Sequence, residues 1–305
     1  MKRELSGKSV LALVMAVVLW GSAPVAIRVA LPGYAPGQLA FLRFAIGSLA
    51  LAAYAAVCGV RMPERRDLPI MIFAAAVGIT FYNTILNYGL LTVAAGTASF
   101  LVASTPVWTS LLAVFTLGER LTFAGWIGIF ISLFGIGVIA NERGQGLHFS
   151  FGALIIVGAA VMYGLYMVLQ KKLLGQYRAL EFTCYSFWFG TLLMAPFGWG
   201  LGHAVKAAPM NATLAVVYLG IFPGVMANFA WAYAMTHAPA SRLSSFMYLM
   251  PVASLGIAWI WLGEVPKLMT LVGGAVALAG VVLVNTLGKV PTAPVAVVLA
   301  PEVES

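Results

Sequence analysis

Two asparagines inside long apolar runs are the residues best suited to chemistry in this sequence. Asn83 and Asn228 each lie near the middle of an apolar stretch. A carboxamide can donate to a carboxylate or accept from an ammonium group, so either asparagine can bind a polar group on a ligand. Asparagine also joins neighbouring apolar helices through hydrogen bonds. Ligand binding and helix packing are therefore both open roles for this pair.

Aromatic side chains occupy related positions around the two asparagines. Their flat faces could line a pocket for a flat or amphipathic organic molecule. Scattered aromatic residues more often pack between helices or anchor the ends of membrane helices. The aromatic residues concerned are Trp20, Tyr82, Tyr163, Tyr166, Trp231 and Tyr248.

Arg43 is the basic residue that lies well inside an apolar segment. Its guanidinium can reach along the helix towards water, donate to helix carbonyls, or balance the charge of a substrate carboxylate. Of these three roles, we favour a structural one.

Carboxylates are scarce, and their positions argue against several kinds of chemistry. None of the nine Asp and Glu residues lies in the middle of an apolar segment. The buried carboxylate with which pumps and antiporters carry protons is therefore missing. His148, His203 and His237 are scattered, which argues against a membrane-embedded enzyme that needs a general base or a metal. We predict no catalytic residue, no metal site and no cofactor. The acidic residues outside the termini are Glu64, Asp67, Glu119, Glu142, Glu181 and Glu264.

The elements that position these residues must be membrane-spanning helices. The 305 residues are 62% hydrophobic and 9% charged, which lies outside the range of soluble domains. A bilayer core needs about 20 apolar residues per helix, and long runs without alternation favour helices over a β-barrel. The sequence therefore predicts an all-α polytopic membrane protein. Its ten apolar segments lie at 9–30, 37–59, 68–91, 96–117, 122–141, 152–172, 180–201, 212–235, 240–262 and 268–287.

The sequence contains an internal duplication. PVWTSLLAVFTLGE at 106–119 returns as PVASLGIAWIWLGE at 251–264, a shift of 145 positions. The same shift carries Asn83 onto Asn228. Nearer the start of each unit, a shift of 143 carries Arg28 onto Lys171. A difference in length therefore lies in the connection after the second helix of each unit.

Each unit contains five apolar segments, and an odd number requires the second unit to enter the membrane from the opposite face. We predict a first five-helix repeat over 1–143, an inverted second repeat over 144–287, and a disordered cytoplasmic tail over 288–305. Inverted repeats allow a central site to open to one side of the membrane and then to the other. This architecture is typical of transporters.

The distribution of Lys and Arg predicts the orientation. Cytoplasmic loops of membrane proteins carry an excess of these residues. One set of alternate loops holds most of them, including Arg61, Arg65 and Arg66, and this set contains both termini. Both termini are therefore predicted to be cytoplasmic. The net charge of +8 follows from this bias and from attraction to lipid headgroups, so nucleic acid is not expected as a partner.

Two prolines interrupt the fourth and ninth segments. Pro106 and Pro251 each remove a backbone hydrogen bond in mid-span, and the freed carbonyl needs a partner in protein or in cavity water. We predict a helix break with a gating role at both positions. Each helix is then predicted to end at the glycine of Leu-Gly-Glu, and the glutamate to cap or anchor the following helix.

Small residues recur at four-residue spacing in the fifth and tenth segments. Gly128 and Ser132 follow Ala124 in one, and Ala277 follows Gly273 in the other. This spacing permits close contact between helices. We predict that it joins the two repeats rather than two protomers, so the protein is expected to be a monomer or a weak homodimer.

Several of these stretches resemble the drug/metabolite transporter superfamily in its ten-helix, EamA-type form. The resemblance is carried by WGSAPVAIR at 20–28, FLRF at 41–44 and the two segments that run from proline to Leu-Gly-Glu. It implies a basket of helices around a central cavity, lined by helices one, three, four, six, eight and nine. It also implies that the spans able to reach the substrate carry Trp20, Tyr82, Asn83, Trp108, Tyr163, Asn228, Trp231 and Tyr248.

Within this family the sequence is most similar to bacterial inner-membrane exporters of amino acids, those for aromatic amino acids in particular. The resemblance implies alternating-access export of aromatic and other neutral amino acids from the cytoplasm, with broad specificity open. Export of other small metabolites or of cationic drugs is the alternative, and a membrane-embedded enzyme is a more remote one. The expected partners are a small-molecule substrate and the lipid bilayer.

Overall fold

A computed structural model describes residues 7–141, 150–173, 176–237 and 246–288. The boundary predicted between residues 143 and 144 lies outside these ranges. All of the predicted tail except residue 288 also lies outside them. The regular elements of the described residues are helical.

Between residues 7 and 141, which the structure describes, the first half of the chain contains seven α-helices and one π-helical turn. The turn, Ala76–Phe81, joins α3 to α4 within a single apolar segment. A two-residue break separates α5 from α6. The helices are α1 Gly7–Ala30, α2 Pro36–Cys58, α3 Leu68–Ala75, α4 Tyr82–Gly89, α5 Ala95–Val102, α6 Thr105–Leu117 and α7 Phe123–Ala140.

The second half repeats much of this pattern. A second π-helical turn, Phe222–Met226, joins α11 to α12, and a short 3₁₀ turn follows α9 at Ala195–Gly198. The helices are α8 Phe151–Leu173, α9 Ala179–Leu193, α10 Leu201–Ala207, α11 Met210–Ile221, α12 Ala227–His237, α13 Met250–Leu262 and α14 Leu268–Leu287.

Eight helical segments among the described residues are long and apolar enough to cross a membrane. They correspond to eight of the ten predicted spans, which confirms an all-helical polytopic membrane protein. The other two predicted spans are not among these eight, and part of one lies outside the described residues. The segment at 180–201 is α-helical only over Ala179–Leu193, because Pro196 stands in the 3₁₀ turn that follows. In the segment at 240–262, the described α-helix is Met250–Leu262.

The first helix of each half packs against the other half. α1 contacts α11, α12 and α13, while α8 contacts α4, α5 and α6. Glycines permit the closest of these approaches. A Cβ on Gly21 would lie 3.0 Å from Ala253 Cβ, and a Cβ on Gly164 would lie 3.0 Å from Trp108 Cβ. The two halves are thus interlocked through α1 and α8.

The helices α7 and α14 form a close antiparallel pair. A Cβ on Gly128 would lie 2.8 Å from the Gly280 carbonyl oxygen, and one on Gly135 would lie 2.6 Å from that of Gly273. Backbones approach this closely only where the side chain is missing. The prediction that the small residues of these helices join the two halves of one chain is confirmed. The outer surface is strongly apolar, as for Phe115 and Ile260, and suits contact with lipid.

Candidate functional site

The two π-helical turns and the two asparagines form matched units. A π-turn widens the helix and leaves carbonyls without their usual partners, and such turns are frequent at functional sites. Asn83 Nδ2 donates to the Ile79 carbonyl oxygen at 2.8 Å. Asn228 Nδ2 donates to the Gly224 carbonyl oxygen at 2.7 Å. Each asparagine therefore satisfies a carbonyl of the turn that precedes it.

Arg43 lies on α2 and contacts the first of these units. Its side chain is buried, and its guanidinium donates a hydrogen bond to Asn83 Oδ1. Its Cζ lies 5.0 Å from the centre of the Phe44 ring. Asn83 thus donates to the π-turn with its nitrogen and accepts from a cation with its oxygen. The hydrogen bond joins α2 to α4, which agrees with a structural role for Arg43.

Three tyrosines stack in a row next to Asn83. The ring centres of Tyr82 and Tyr163 are 4.6 Å apart, and those of Tyr163 and Tyr166 are 5.5 Å apart. Tyr82 belongs to α4 of the first half, and the other two belong to α8 of the second half. The row therefore lies across the contact between the halves.

Two of the predicted tryptophans contact each other beside the second π-turn. The rings of Trp20 and Trp231 lie 5.6 Å apart between centres. Trp20 Nε1 donates to the Pro223 carbonyl oxygen of the second π-turn at 3.1 Å. Asn228 bonds to Gly224 of the same turn. The structure thus brings Trp20, Trp231 and Asn228 together at this turn.

Two predicted substrate residues have other neighbours. Trp108 donates from Nε1 to Ser104 Oγ at 3.1 Å, within its own segment. Tyr248 accepts from Asn285 Nδ2 at 2.8 Å and packs against α7 and α14 residues. Tyr248 therefore belongs to the packing around that helix pair.

The prolines stand at the start of helices. Pro106 is the second residue of α6, just after the break that follows α5. Pro251 is the second residue of α13. Proline suits the first turn of a helix because no intrahelical partner is available there for its missing N–H. The fourth segment is thus broken, but at Ala103 and Ser104 rather than at the proline itself.

The glycines of Leu-Gly-Glu end their helices as predicted. Gly118 and Gly263 adopt left-handed conformations with φ of 65° and 67°. In each motif the glutamate N–H bonds back to a helix carbonyl, that of Ala113 in one and of Ala258 in the other. Only glycine adopts this conformation without strain.

The two glutamates bind basic residues of the opposite half. Glu264 Oε1 lies 3.1 Å from Arg28 Nη2, and its Oε2 accepts from the Ala95 N–H at 2.8 Å. Glu119 forms an ion pair with Lys171. We expected these glutamates to anchor the following helix, but Glu264 instead caps α5 of the other half. A carboxylate is favourable at a helix N-terminus.

These two ion pairs lie at opposite ends of the helix bundle. Arg28 and Lys171 lie near the C-terminal ends of α1 and α8. The segment formed by α5 and α6 begins at Ala95, which Glu264 caps, and ends just before Glu119, which pairs with Lys171, so the length of this segment separates the two ion pairs. Arg28 Nη1 also donates to the carbonyl oxygens of Leu90 and Val93, which lie between α4 and α5. The internal duplication matches Arg28 with Lys171 and Glu119 with Glu264, but it does not predict that each base pairs with the acid of the opposite half. The signal in the sequence that could have predicted these ion pairs is the presence of opposite charges at the ends of matched helices.

Two cavities border the described residues. One of about 440 Å³ is lined by Val29, Leu214, Tyr218 and Trp261, among others. The other, of about 70 Å³, lies beside Glu264 and Ala258. Neither is lined by a predicted substrate residue. Across the described ranges, no three His, Cys, Asp or Glu side chains are close enough to hold a metal ion.

Comparison with known proteins identifies the relatives of this chain. The EamA-like transporter family matches twice, over residues 7–141 and 150–286. A probable terminal-alkyne amino-acid exporter of Streptantibioticus cattleyicolor is 42% identical over 284 residues, which are 92% of this chain and 95% of the relative. The uncharacterised transporter YdfC of Bacillus subtilis is 37% identical, over 89% of this chain and 90% of its own length.

A solved crystal structure shares the fold. It is 22% identical to this chain and superposes with a TM-score of 0.61, covering 90% of this chain and 95% of the other. These similarities extend over both halves and point to a transporter rather than an enzyme. This chain belongs to the EamA-like transporter family.

Proposed function

We propose that the protein is an alternating-access transporter that exports neutral amino acids, aromatic ones among them, from the cytoplasm across a bacterial inner membrane. A relative with 42% identity is named as a probable exporter of a terminal-alkyne amino acid, which supports an amino acid as the substrate. In this proposal the two halves are inverted five-helix repeats, α9 and α13 complete the ten spans, and both termini are cytoplasmic.

The main support for the proposal is that two ion pairs link the halves, one at each end of the bundle. Arg28 with Glu264 closes the end that we assign to the outside, and Lys171 with Glu119 closes the cytoplasmic end. Each pair takes its base from one half and its acid from the other. Movement of one half against the other breaks one pair and keeps its counterpart, which is the requirement of alternating access.

The substrate residues that we propose lie between these two closed ends. Asn83 and Asn228 orient the polar groups of the substrate, while Trp20, Tyr82, Tyr163 and Trp231 pack against its side chain. Trp108 and Tyr248 complete the predicted set, and Pro106 and Pro251 belong to the helices that move. The π-turns supply pliable points because their backbone hydrogen bonds are already irregular.

Counterflow in proteoliposomes that contain only this protein tests the proposal. Vesicles are loaded with unlabelled phenylalanine, labelled phenylalanine is added outside, and its accumulation is compared with that in protein-free vesicles. Leucine, other neutral amino acids and a cationic dye serve as competitors. We expect transient accumulation that neutral amino acids suppress and the dye does not.

The competitors also identify the result that would refute the proposal. Counterflow of a labelled cationic dye in dye-loaded vesicles, with none of phenylalanine, would assign the protein to drug export. If folded protein accumulates none of these amino acids, export of neutral amino acids is excluded.

A further inference from the structure

The charge on Arg43 has no acidic partner in the part of the chain that the structure describes. Its side chain is only 7% exposed. The carboxylates of the described ion pairs bind Arg28, Arg61, Arg66 and Lys171 instead. Removing a cation from water is unfavourable unless an opposite charge or a full set of acceptors compensates. Arg43 therefore needs an explanation beyond its neutral contacts.

The hydrogen bonds of this guanidinium are incomplete. It donates to the neutral Asn83 Oδ1, while its buried Nε has no acceptor among the described residues. Asn83 is itself held by the π-turn, so its oxygen has a fixed position. A guanidinium offers five N–H donors and binds a carboxylate through two parallel hydrogen bonds. Its unused donors thus match the chemistry of a carboxylate.

Aromatic rings that could contact the uncharged side chain of an amino acid lie near the cation. Tyr82 precedes Asn83, which accepts the hydrogen bond from Arg43, and is the first ring of the stacked row that continues through Tyr163. An amino acid has a carboxylate at one end and, when it is neutral, an uncharged side chain at the other. A cation next to stacked rings complements both ends.

The cation is present in one half only. The shift of 143 that relates the starts of the two units carries Arg43 onto Ser186, which is buried and accepts a hydrogen bond from the Tyr166 hydroxyl. A residue needed only to pack the second helix would be expected in both halves. A single charge instead suits a single charged group on a substrate.

We propose that Arg43 binds the carboxylate of the substrate, with Asn83 holding the guanidinium in place. This proposal rests on the export function proposed above and narrows it to substrates with a free carboxylate. Amines and cationic drugs that lack a carboxylate are then excluded from the Arg43 site. Because the guanidinium provides the binding charge, replacement by lysine keeps part of the affinity and replacement by glutamine loses it.

The first test compares phenylalanine with phenylalaninamide, which lacks the carboxylate. The purified full-length protein is heated with each compound, and with benzoate, to measure the rise in melting temperature. We expect phenylalanine to bind at least about ten-fold more tightly than the amide, as befits a charge-assisted hydrogen-bond pair. Arg43→Gln should remove this preference, and Arg43→Lys should retain part of it.

A second variant tests the proposal even if Arg43→Gln fails to fold. Asn83→Asp keeps the arginine but supplies a carboxylate inside the protein, which competes with that of the substrate. We expect weaker binding of phenylalanine together with a melting temperature at least as high as that of Asn228→Asp. The latter variant loses the corresponding amide donor at the matched position, where the structure describes no arginine contact.

The outcomes separate this proposal from the export function. Transport of phenylalanine with the same preference over its amide in Arg43→Gln and Asn83→Asp overturns the carboxylate site and leaves the function standing. Stabilisation by benzoate that requires Arg43, without binding or transport of any neutral amino acid, leaves the site standing and overturns the function. If no carboxylate compound stabilises the folded wild-type protein, both proposals fail.

Discussion

Asn83 and Asn228 occupy matched positions, yet they make different hydrogen bonds. Asn83 is buried, donates to the π-turn and accepts from Arg43. Asn228 is half-buried and donates to Gly224. Ligand binding and helix packing were both open roles in the sequence. In the structure the packing role is already in place for both side chains, and their role in substrate binding stays a proposal.

Alanine at these two positions should therefore have unequal effects on stability. We expect Asn83→Ala to lower the free energy of unfolding by about 2 to 3 kcal/mol, because it leaves a buried guanidinium without its acceptor. Asn228→Ala should cost about 1 kcal/mol, since it removes one neutral hydrogen bond. Thermal unfolding of both purified variants in the same detergent measures the difference. Equal losses would show that the Arg43 contact contributes little.

Sequence patterns identified polar and aromatic candidates but not their neighbours. The tyrosine row joins α4 to α8, whose residues lie about 80 positions apart, and no local pattern predicts a contact at that separation. Tyr248 shows most clearly that these patterns do not predict the neighbours of a side chain. Its place in the repeat and its residue type both suited a substrate pocket, whereas its hydroxyl binds Asn285 beside the α7 and α14 pair.

At the scale of elements, the two ion pairs link helix ends from opposite halves. The sequence showed that Arg28 matches Lys171 and that Glu119 matches Glu264. It could not show which acid meets which base, because that depends on α1 packing against the second half and α8 against the first. The same interlocking explains why Glu264 caps α5 rather than its own next helix.

Neutralising either glutamate should open one end of the bundle. Glu264→Gln keeps an oxygen for the Ala95 N–H but removes the charge that holds Arg28, and Glu119→Gln does the same to Lys171. Ala258 and Ala113 are buried and lie near these ends at matched positions. We expect Glu264→Gln to raise labelling of Ala258→Cys by a membrane-impermeant maleimide added from outside. Glu119→Gln should raise labelling of Ala113→Cys from the cytoplasmic side.

The labelling experiment contains its own controls. Both natural cysteines, Cys58 and Cys184, are replaced by serine so that only the introduced thiol reacts. Each glutamate variant is also combined with the cysteine at the far end, where labelling should stay unchanged or fall. A rise at both ends in either variant would indicate general loosening and would count against two separate gates.

The α7 and α14 contact permits a prediction with a control on the same helix. A Cβ on Gly135 would meet the Gly273 carbonyl oxygen at 2.6 Å, whereas one on Gly137 would have no atom within 4 Å. Gly135→Ala should therefore force the helices apart and lower the melting temperature. Gly137→Ala should leave it unchanged or raise it, because alanine favours the helix by about 1 kcal/mol over glycine. Destabilisation by both would mean that helix separation is not the cause.

At the scale of the whole molecule, composition and run length were sufficient to predict the class of protein and most of the helices. Burying some 20 apolar residues per segment leaves a bilayer as the only suitable solvent. The breaks within segments were harder to predict. The π-turn at Ala76–Phe81 contains no proline, and the 3₁₀ turn after α9 shortens a run that is apolar enough to continue. The break after α9 follows from Pro196 in the 3₁₀ turn, whereas the sequence of the π-turn offers no such local cause.

The orientation of the molecule can be tested with reporters fused to its C-terminus. The excess of Lys and Arg in loops on the side of both termini predicts that residue 305 lies in the cytoplasm. A fluorescent protein fused there should be bright, and alkaline phosphatase should be inactive. The same reporters fused after residue 32, between α1 and α2, provide the comparison and should behave in the opposite way. Active phosphatase at the C-terminus would reverse the assignment of the two ends.

The interlocking of α1 and α8 has a consequence for how the chain assembles. During synthesis the first half enters the membrane before α11, α12 and α13 exist, so α1 must remain without its final neighbours until the second half follows. Neither half can complete its own core, and a chain truncated after residue 141 would leave the facing surface of α1 uncovered. When the two halves are co-expressed as separate chains, each supplies the helix, α1 or α8, that packs against the other half.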